Sequence, residues 1–151
     1  MLNKSKIYRY LNLAKSAALL SDNKKTRVGC IIVYKKQVIG TGWNLENKTH
    51  PLQKAVNKYR GYDIEQNNAK HSQHAECHAL TRISDLDIDW SKVVIFVYRL
   101  KRDGSRGLAK PCIGCETMLR TKGIKQVYYS TEIGWEYTYY ENNEDKILWP
   151  I

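Results

Sequence analysis

"KQVYYSTEIGWEYTYYE", residues 125–141, decides how this chain closes its sheet. Two strand-forming runs, KQVYYS and WEYTYYE, flank the four-residue spacer TEIG at 131–134. A parallel neighbour needs a crossover of about a dozen residues or more, whereas so short a spacer permits only a hairpin. The spacing therefore predicts an antiparallel last strand at about 135–141. The competing reading is a frayed helix over 135–146.

Upstream, Cys112 to Thr121 reads as a helix closed by Gly123, and KVVIFVYRL at 92–100 is a continuous apolar run of the kind buried on both faces. RDGSRG at 102–107 reads as a turn. Residues 74–83 form another helix, and 44–70 is polar and basic without clean periodicity, a long loop with at most a short helix at 53–60. RVGCIIVYKKQVIGTGW reads as a hairpin turning at Lys35-Lys36. Before it, Ile7, Tyr8, Leu11, Leu13, Ala14, Ala17 and Ala18 recur at helical spacing over 4–20, with Ser21-Asp22-Asn23 as a stop.

The order α, β, β, α, β, α, β predicts the α/β class, a three-layer α/β/α sandwich around a five-stranded mixed sheet. The crossovers through 74–83 and 112–121 make the second hairpin strand, 92–100 and 125–130 parallel, with right-handed connections. No repeat, low-complexity tract or linker interrupts the chain, so residues 1–151 read as one domain.

Apolar content of 42% and charged content of 26% are those of a globular protein. No apolar run approaches the roughly 20 residues of a membrane span, and the lysine-studded start does not read as a signal peptide, so no membrane partner and a cytoplasmic location are expected. Four cysteines in that compartment read as ligands or core residues rather than a disulfide framework. The net charge of +10 is uneven: residues 1–60 carry 13 Lys/Arg against Asp22 and Glu46, and residues 61–151 carry 12 against 13 acids. That suits a phosphorylated or polyanionic partner, and equally a merely soluble surface.

The chemistry concentrates in two short stretches, HSQHAECHAL at 71–80 and KPCIGC at 110–115. A C-x-x-C opening a helix puts Cys112 and Cys115 on one turn, where the helix N-terminus favours thiolates. Alone, the motif serves redox or metal chemistry. HAE at 74–76 supplies the discriminating partner. In such a sheet, helix N-termini gather at the carboxyl ends of the strands. His74, Cys112 and Cys115 then meet as three ligands of a tetrahedral Zn²⁺ with the fourth position left for water, the layout of a catalytic centre. Glu76 sits beside that water as the proton carrier.

H-x-E followed by P-C-x-x-C is the signature of zinc nucleobase deaminases. The chain resembles the cytidine deaminase-like superfamily over residues 5–140, through these two motifs and the element order. The resemblance implies the cytidine deaminase-like fold, zinc as cofactor, and hydrolytic deamination with Glu76 shuttling the proton. It also implies a sugar contact from Asn44, with a strand-end cap as the plain alternative. Val28 becomes a wall of the base pocket, with Ala75 beside it. Trp135 in the aromatic tail, with Tyr137, Tyr139 and Tyr140, either stacks a base or simply packs.

The remaining candidates carry plainer readings. His78 and Cys77 lie at i+4 and i+3 from His74, so they form either a ligand set of their own or helix-face filler. His50 and His71 are solvated loop residues or ligands of a second metal, and Cys30 is core. From His74 to Cys112 is longer than small-nucleotide deaminases lead one to expect, the excess lying in RLKRDGSRGLA. Arg99, Lys101, Arg102, Arg106 and Lys110 are thereby expected near the site mouth, with Lys48, Lys54, Lys58 and Arg60 from the long loop.

Two substrates fit: a cytidine or deoxycytidine nucleoside or nucleotide such as dCMP, or cytosine (less readily adenine) in single-stranded DNA or RNA, which would bind with steep salt dependence. The antiparallel last strand departs from the parallel one that the resemblance leads one to expect of deoxycytidylate deaminases. The non-enzymatic rival is a zinc-stabilised nucleic-acid-binding module, which has no use for Glu76. Assembly into a homo-oligomer fits the resemblance as well.

Overall fold

In a computed structural model, residues 2–48, 50–59 and 72–141 are described. Helix α1 (Lys4–Ala18) starts where Asn3 accepts a hydrogen bond from Lys6 N at 2.9 Å, a side-chain cap. It buries Ile7, Tyr10, Leu11, Ala14, Ala17 and Ala18, the stripe its spacing calls for. β1 (Thr26–Tyr34) and β2 (Gln37–Trp43) are joined through Lys35 and Lys36, with φ of 49° and 67°. Two left-handed residues give a turn whose twist matches a tight hairpin.

After β2 come α2 (Pro51–Tyr59) and α3 (Ala75–Thr81), then β3 (Val94–Lys101), β4 (Arg106–Gly107), α4 (Ile113–Lys122), β5 (Gln126–Ser130) and β6 (Trp135–Tyr139). A short 3₁₀ turn, Trp90–Lys92, leads into β3. The sheet runs β2-β1-β3-β5-β6, with the two-residue β4 pairing with β3 beside that path. β1 is antiparallel to both neighbours, and β3 and β5 are parallel, so β2, β3 and β5 share one direction as expected. β6 returns antiparallel on β5 with Trp135 opposite Ser130, which confirms the hairpin over the helix for 135–139.

β4 is a sixth strand where the sequence suggested only a turn. Helix α2 corresponds to the short helix expected at 53–60. It begins two residues earlier, at Pro51, and buries Leu52, Gln53, Val56 and Asn57 against α4 and α3. Residues 60–71, with His71 and Arg60, lie outside the described residues, as do the Lys58 side chain and the tail from 142.

The central strands are buried on both faces. Cys30, Ile32, Ile95, Val97, Val127 and Tyr129 point to α2, α3 and α4, while Ile31, Val33, Phe96, Tyr98 and Tyr128 point to α1. Phe96 and Tyr128 stack at 5.0 Å beneath α1. Each such large apolar side chain contributes about 1.5–3 kcal/mol on burial, and this two-sided core gives the three layers. Gly42 lets α3 lie directly on β2: a Cβ there would collide with Ala79 N and Ala75 O. Among the described residues no helix is long and apolar enough to cross a membrane.

Candidate active site

α3 and α4 both start at the same edge of the sheet. Leu45 and Gln73 exchange backbone hydrogen bonds at 2.9 and 2.8 Å, so the chain re-enters beside the end of β2 just before His74. His74 occupies the N-cap position of α3 with extended backbone (φ −74°, ψ 153°), yet its side chain makes no cap bond. Its imidazole turns instead towards α4. Cys112 is the N-cap of α4, its Sγ accepting from Cys115 N at 3.4 Å. Pro111 ahead of it and the left-handed Gly123 behind fix the limits of that helix.

His74 Nδ1 lies 3.3 Å from Cys115 Sγ and 3.7 Å from Cys112 Sγ, and all three ligand atoms fall within 4.8 Å of one another. A tetrahedral zinc centre with ordinary Zn–N and Zn–S bonds has an N···S edge of roughly 3.6 Å. The donor set and its spacing therefore fit zinc. Hydrogen bonds accepted from the Cys115 thiol and the His74 imidazole pull Cys112 down to about 3, while the bond to Cys112 and burial push Cys115 well up. Among the described residues this is the one metal-compatible cluster.

Glu76, on the first turn of α3, is 5% exposed. Burial raises its pKa, with the His74 imidazole working the other way. Its carboxyl belongs to a cavity of about 330 Å³. It is lined by His74, Ala75, Glu76 and Cys112 of the two helix starts, by Thr26, Val28 and Asn44, and by Arg99, Leu108, Ala109 and Lys110. Val28 and Ala75 are thus both among the lining residues. Asn44 also lines the cavity, and its amide clamps β1: Oδ1 accepts from Val28 N at 2.8 Å and Nδ2 donates to Thr26 O at 3.0 Å. The strand-end reading of Asn44 holds alongside its place at the cavity.

The β1–β3 register sets Val28 opposite Arg99, and Arg99 Nε donates to Thr26 Oγ1 at 2.9 Å. Of the expected basic mouth, Arg99 and Lys110 line the cavity. Lys101 pairs instead with Glu132 at 2.5 Å, and Arg106 Nε donates to Thr131 O at 2.8 Å. Arg102, Lys48 and Lys54 are exposed and are not among the lining residues.

Trp135 requires a correction. It packs on Tyr128 at 5.8 Å in the apolar cluster beneath α1, on the sheet face opposite the metal-compatible cluster. Alternation along β6 is the cause: Trp135 and Tyr137 face α1, and Tyr140, just beyond the strand, joins the core on the other side. A base bound beside Glu76 does not meet Trp135.

His78 and Cys77 are filler of a specific kind. His78 Nε2 accepts from Arg82 at 2.9 Å, since a guanidinium only donates, and Nδ1 lies 3.1 Å from both the N and the O of Trp43. Burial, then Arg82, hold the His78 pKa below its ordinary value. Cys77 is buried with Gln73 Nε2 at 3.7 Å, Cys30 is fully buried, and His50 accepts from Leu52 N at 3.1 Å to open α2. Sequence reasoning missed Gln53, which is fully buried and accepts from His74 N at 2.7 Å. Its one signal was the apolar pair Leu52 and Val56 at i, i+4, too sparse to make the packing of a short helix legible.

The family profile described as the cytidine and deoxycytidylate deaminase zinc-binding region matches residues 4–131. No curated protein sequence matches the chain. Among solved structures, it is similar to a dCMP deaminase of cyanophage S-TIM5 in apo form, with 21% identity, a TM-score of 0.59, and coverage of 85% of this chain and 84% of that one. The same phage enzyme in complex with dCMP and dUMP gives 21% identity and a TM-score of 0.58, covering 85% and 83%. A cytidine deaminase from Burkholderia pseudomallei shows 18% identity, a TM-score of 0.58, and coverage of 87% and 91%. At these identities the structures speak for the fold, while the profile spans both motifs and the Glu76 between them. The chain belongs to the cytidine and deoxycytidylate deaminase zinc-binding family, a zinc-dependent hydrolytic deaminase.

Proposed function

We propose that this protein converts cytosine to uracil in a cytidine or deoxycytidine nucleotide such as dCMP, with His74, Cys112 and Cys115 holding the zinc and Glu76 moving the proton. The observation that carries the reading is the buried Glu76 carboxyl, lining a nucleotide-sized cavity together with two of the three ligand residues. When bound, zinc supplies a Lewis acid that makes water nucleophilic near neutral pH.

The residues divide the remaining work. Glu76 takes a proton from the attacking water and delivers it to the ring nitrogen beside the amine-bearing carbon. The water oxygen adds to that carbon. The same carboxyl then takes the second proton from this oxygen and gives it to the amino group, so that the C–N bond breaks, ammonia leaves and the oxygen stays as the carbonyl. A carboxyl with a burial-raised pKa can hold this proton in transit. Val28 and Ala75 confine the base, and the Asn44 amide, fixed by its two backbone bonds, presents its remaining capacity to a sugar hydroxyl. Arg99 and Lys110, which also line the cavity, suit the phosphate. The likeness to a phage dCMP deaminase that was solved with dCMP and dUMP supports the nucleotide.

A second reading, cytosine (or adenine) in single-stranded DNA or RNA, draws on the exposed Lys24 and Lys25 beside Thr26, which extend positive charge beyond the cavity. Ammonia release separates the two. The zinc-loaded protein is offered cytidine, deoxycytidine, their mono- and triphosphates, and cytosine-containing single strands, with Glu76→Gln as the blank. Turnover of a monophosphate is expected. Activity confined to polymers and falling steeply with salt would replace the first reading with the second.

A further inference from the structure

The backbone of His74 is held at both of its polar groups. Its carbonyl accepts from His78 N at 2.9 Å inside α3, and its N–H is taken at 2.7 Å by Gln53 Oε1 from α2. With both fixed, the imidazole direction follows from the remaining side-chain torsions.

Gln53 is itself oriented. His74 N can only donate, so Gln53 must present its oxygen there, which leaves Nε2 to donate to Asn57 Oδ1 at 2.9 Å, one turn along α2. Both side chains are buried, at 0% and 1% exposure. Among the described residues Asn57 Nδ2 is left as a buried donor without a partner. Such orphans are uncommon and call for a reason. Turning the Asn57 amide over would face its NH₂ against the Gln53 NH₂, so the unpaired donor accompanies the one arrangement that keeps Gln53 Oε1 on His74. α2 also packs against α4, which carries both cysteines, and Leu52 and Val56 enter the same apolar cluster as Cys115.

We propose that Gln53 is a positioning residue of the zinc centre: through the His74 peptide, it and Asn57 set the imidazole of α3 at the distance that the two sulfurs of α4 require. The inference rests on His74 being a zinc ligand and adds a residue outside the ligand set and the cavity lining.

The test measures the zinc dissociation constant by chelator competition and records the visible ligand-field bands of the cobalt-substituted protein. Gln53→Met keeps the volume and removes the acceptor. It is expected to weaken zinc about ten- to a hundredfold, the usual range for residues that orient a ligand, and to shift the cobalt bands. Gln53→Glu keeps the acceptor, and Asn57 can turn its NH₂ towards the carboxylate, so parental affinity and bands are expected. Ile7→Ala, buried under α1 on the other sheet face, should lower the melting temperature and leave both readouts alone. Parental zinc affinity and spectrum in Gln53→Met would overturn the proposal, as would equal weakening in Gln53→Glu. If Gln53→Met does not fold, Gln53→Leu, which also lacks the acceptor, takes its place under the same criterion. A His74→Ala protein that binds zinc as tightly as the parent would instead overturn the ligand assignment on which the proposal rests.

Discussion

Replacing Arg99 with alanine separates a phosphate site from a merely basic surface. The guanidinium is half-buried on the cavity wall, with Nε held by Thr26 Oγ1 at 2.9 Å. That tether fixes the plane of the fork, so little ordering remains to be done when an anion binds. A hydrogen bond to a charged group contributes about 1.5–3 kcal/mol. At 1.4 kcal/mol per factor of ten, its loss lowers kcat/KM on dCMP by about ten- to a hundredfold. Deoxycytidine lacks the phosphate and should be turned over at the parental rate. Thr26→Val keeps the charge and removes the tether, so it should cost several-fold at most on the nucleotide. The assay is initial-rate ammonia release on the two substrates, parent and variants side by side at one ionic strength. An equal loss on nucleoside and nucleotide would refute the reasoning, because it would mean that Arg99 supports the fold of the cavity. So would parental kcat/KM on dCMP.

Other perturbations follow from the same geometry. Gly42→Ala drives a methyl group into the α3 backbone at Ala75 and Ala79, a clash expected to cost about 1–3 kcal/mol and seen as a lowered melting temperature with reduced kcat, since Glu76 rides on that helix. Burial and Arg82 hold the His78 pKa in the fold below its ordinary value near 6.5, so below that value the unfolded state takes up more protons and stability is lost as pH falls through it. Melting curves across that range should fall more steeply for the parent than for His78→Gln, in which the titrating group facing Arg82 and Lys48 is gone. Trp135→Leu should lower the melting temperature through lost packing on Tyr128 and leave KM unchanged; a raised KM would return Trp135 to the substrate.

What the sequence made legible was what short-range chemistry determines. The two-residue turn at Lys35-Lys36, the hairpin forced by TEIG, and the meeting of HAE with C-x-x-C all follow from local spacing and the rule that crossovers bring helix starts to one edge. Features depending on parity or distant pairing were not legible. Alternation says that Trp135 and Tyr140 lie on opposite faces, but which face holds the metal centre is settled only when β6 pairs with β5. The Thr26–Arg99 contact needs the β1–β3 register, across 73 residues of sequence. The short helix expected at 53–60 is there as α2, but its packing was not legible, because half of its described buried residues are polar: Gln53 bonds His74 N and Asn57 inside the protein, and in a hydropathy pattern both amides count as surface.

His74 and Cys112 are 38 positions apart, and the stretch between them contains all of β3 and β4. A metal held at both ends would close that loop, so its binding would restrict the unfolded chain as well as the fold. Cys112 and Cys115 share a helical turn and stand together through α4 alone, whereas His74 is brought to them by the pairing of β3 between β1 and β5 and by the seat of α3 on Gly42. Two of the candidate ligands are thus local to one turn and the third is carried by the sheet, so three-ligand coordination would report an assembled sheet where binding to the two sulfurs would not.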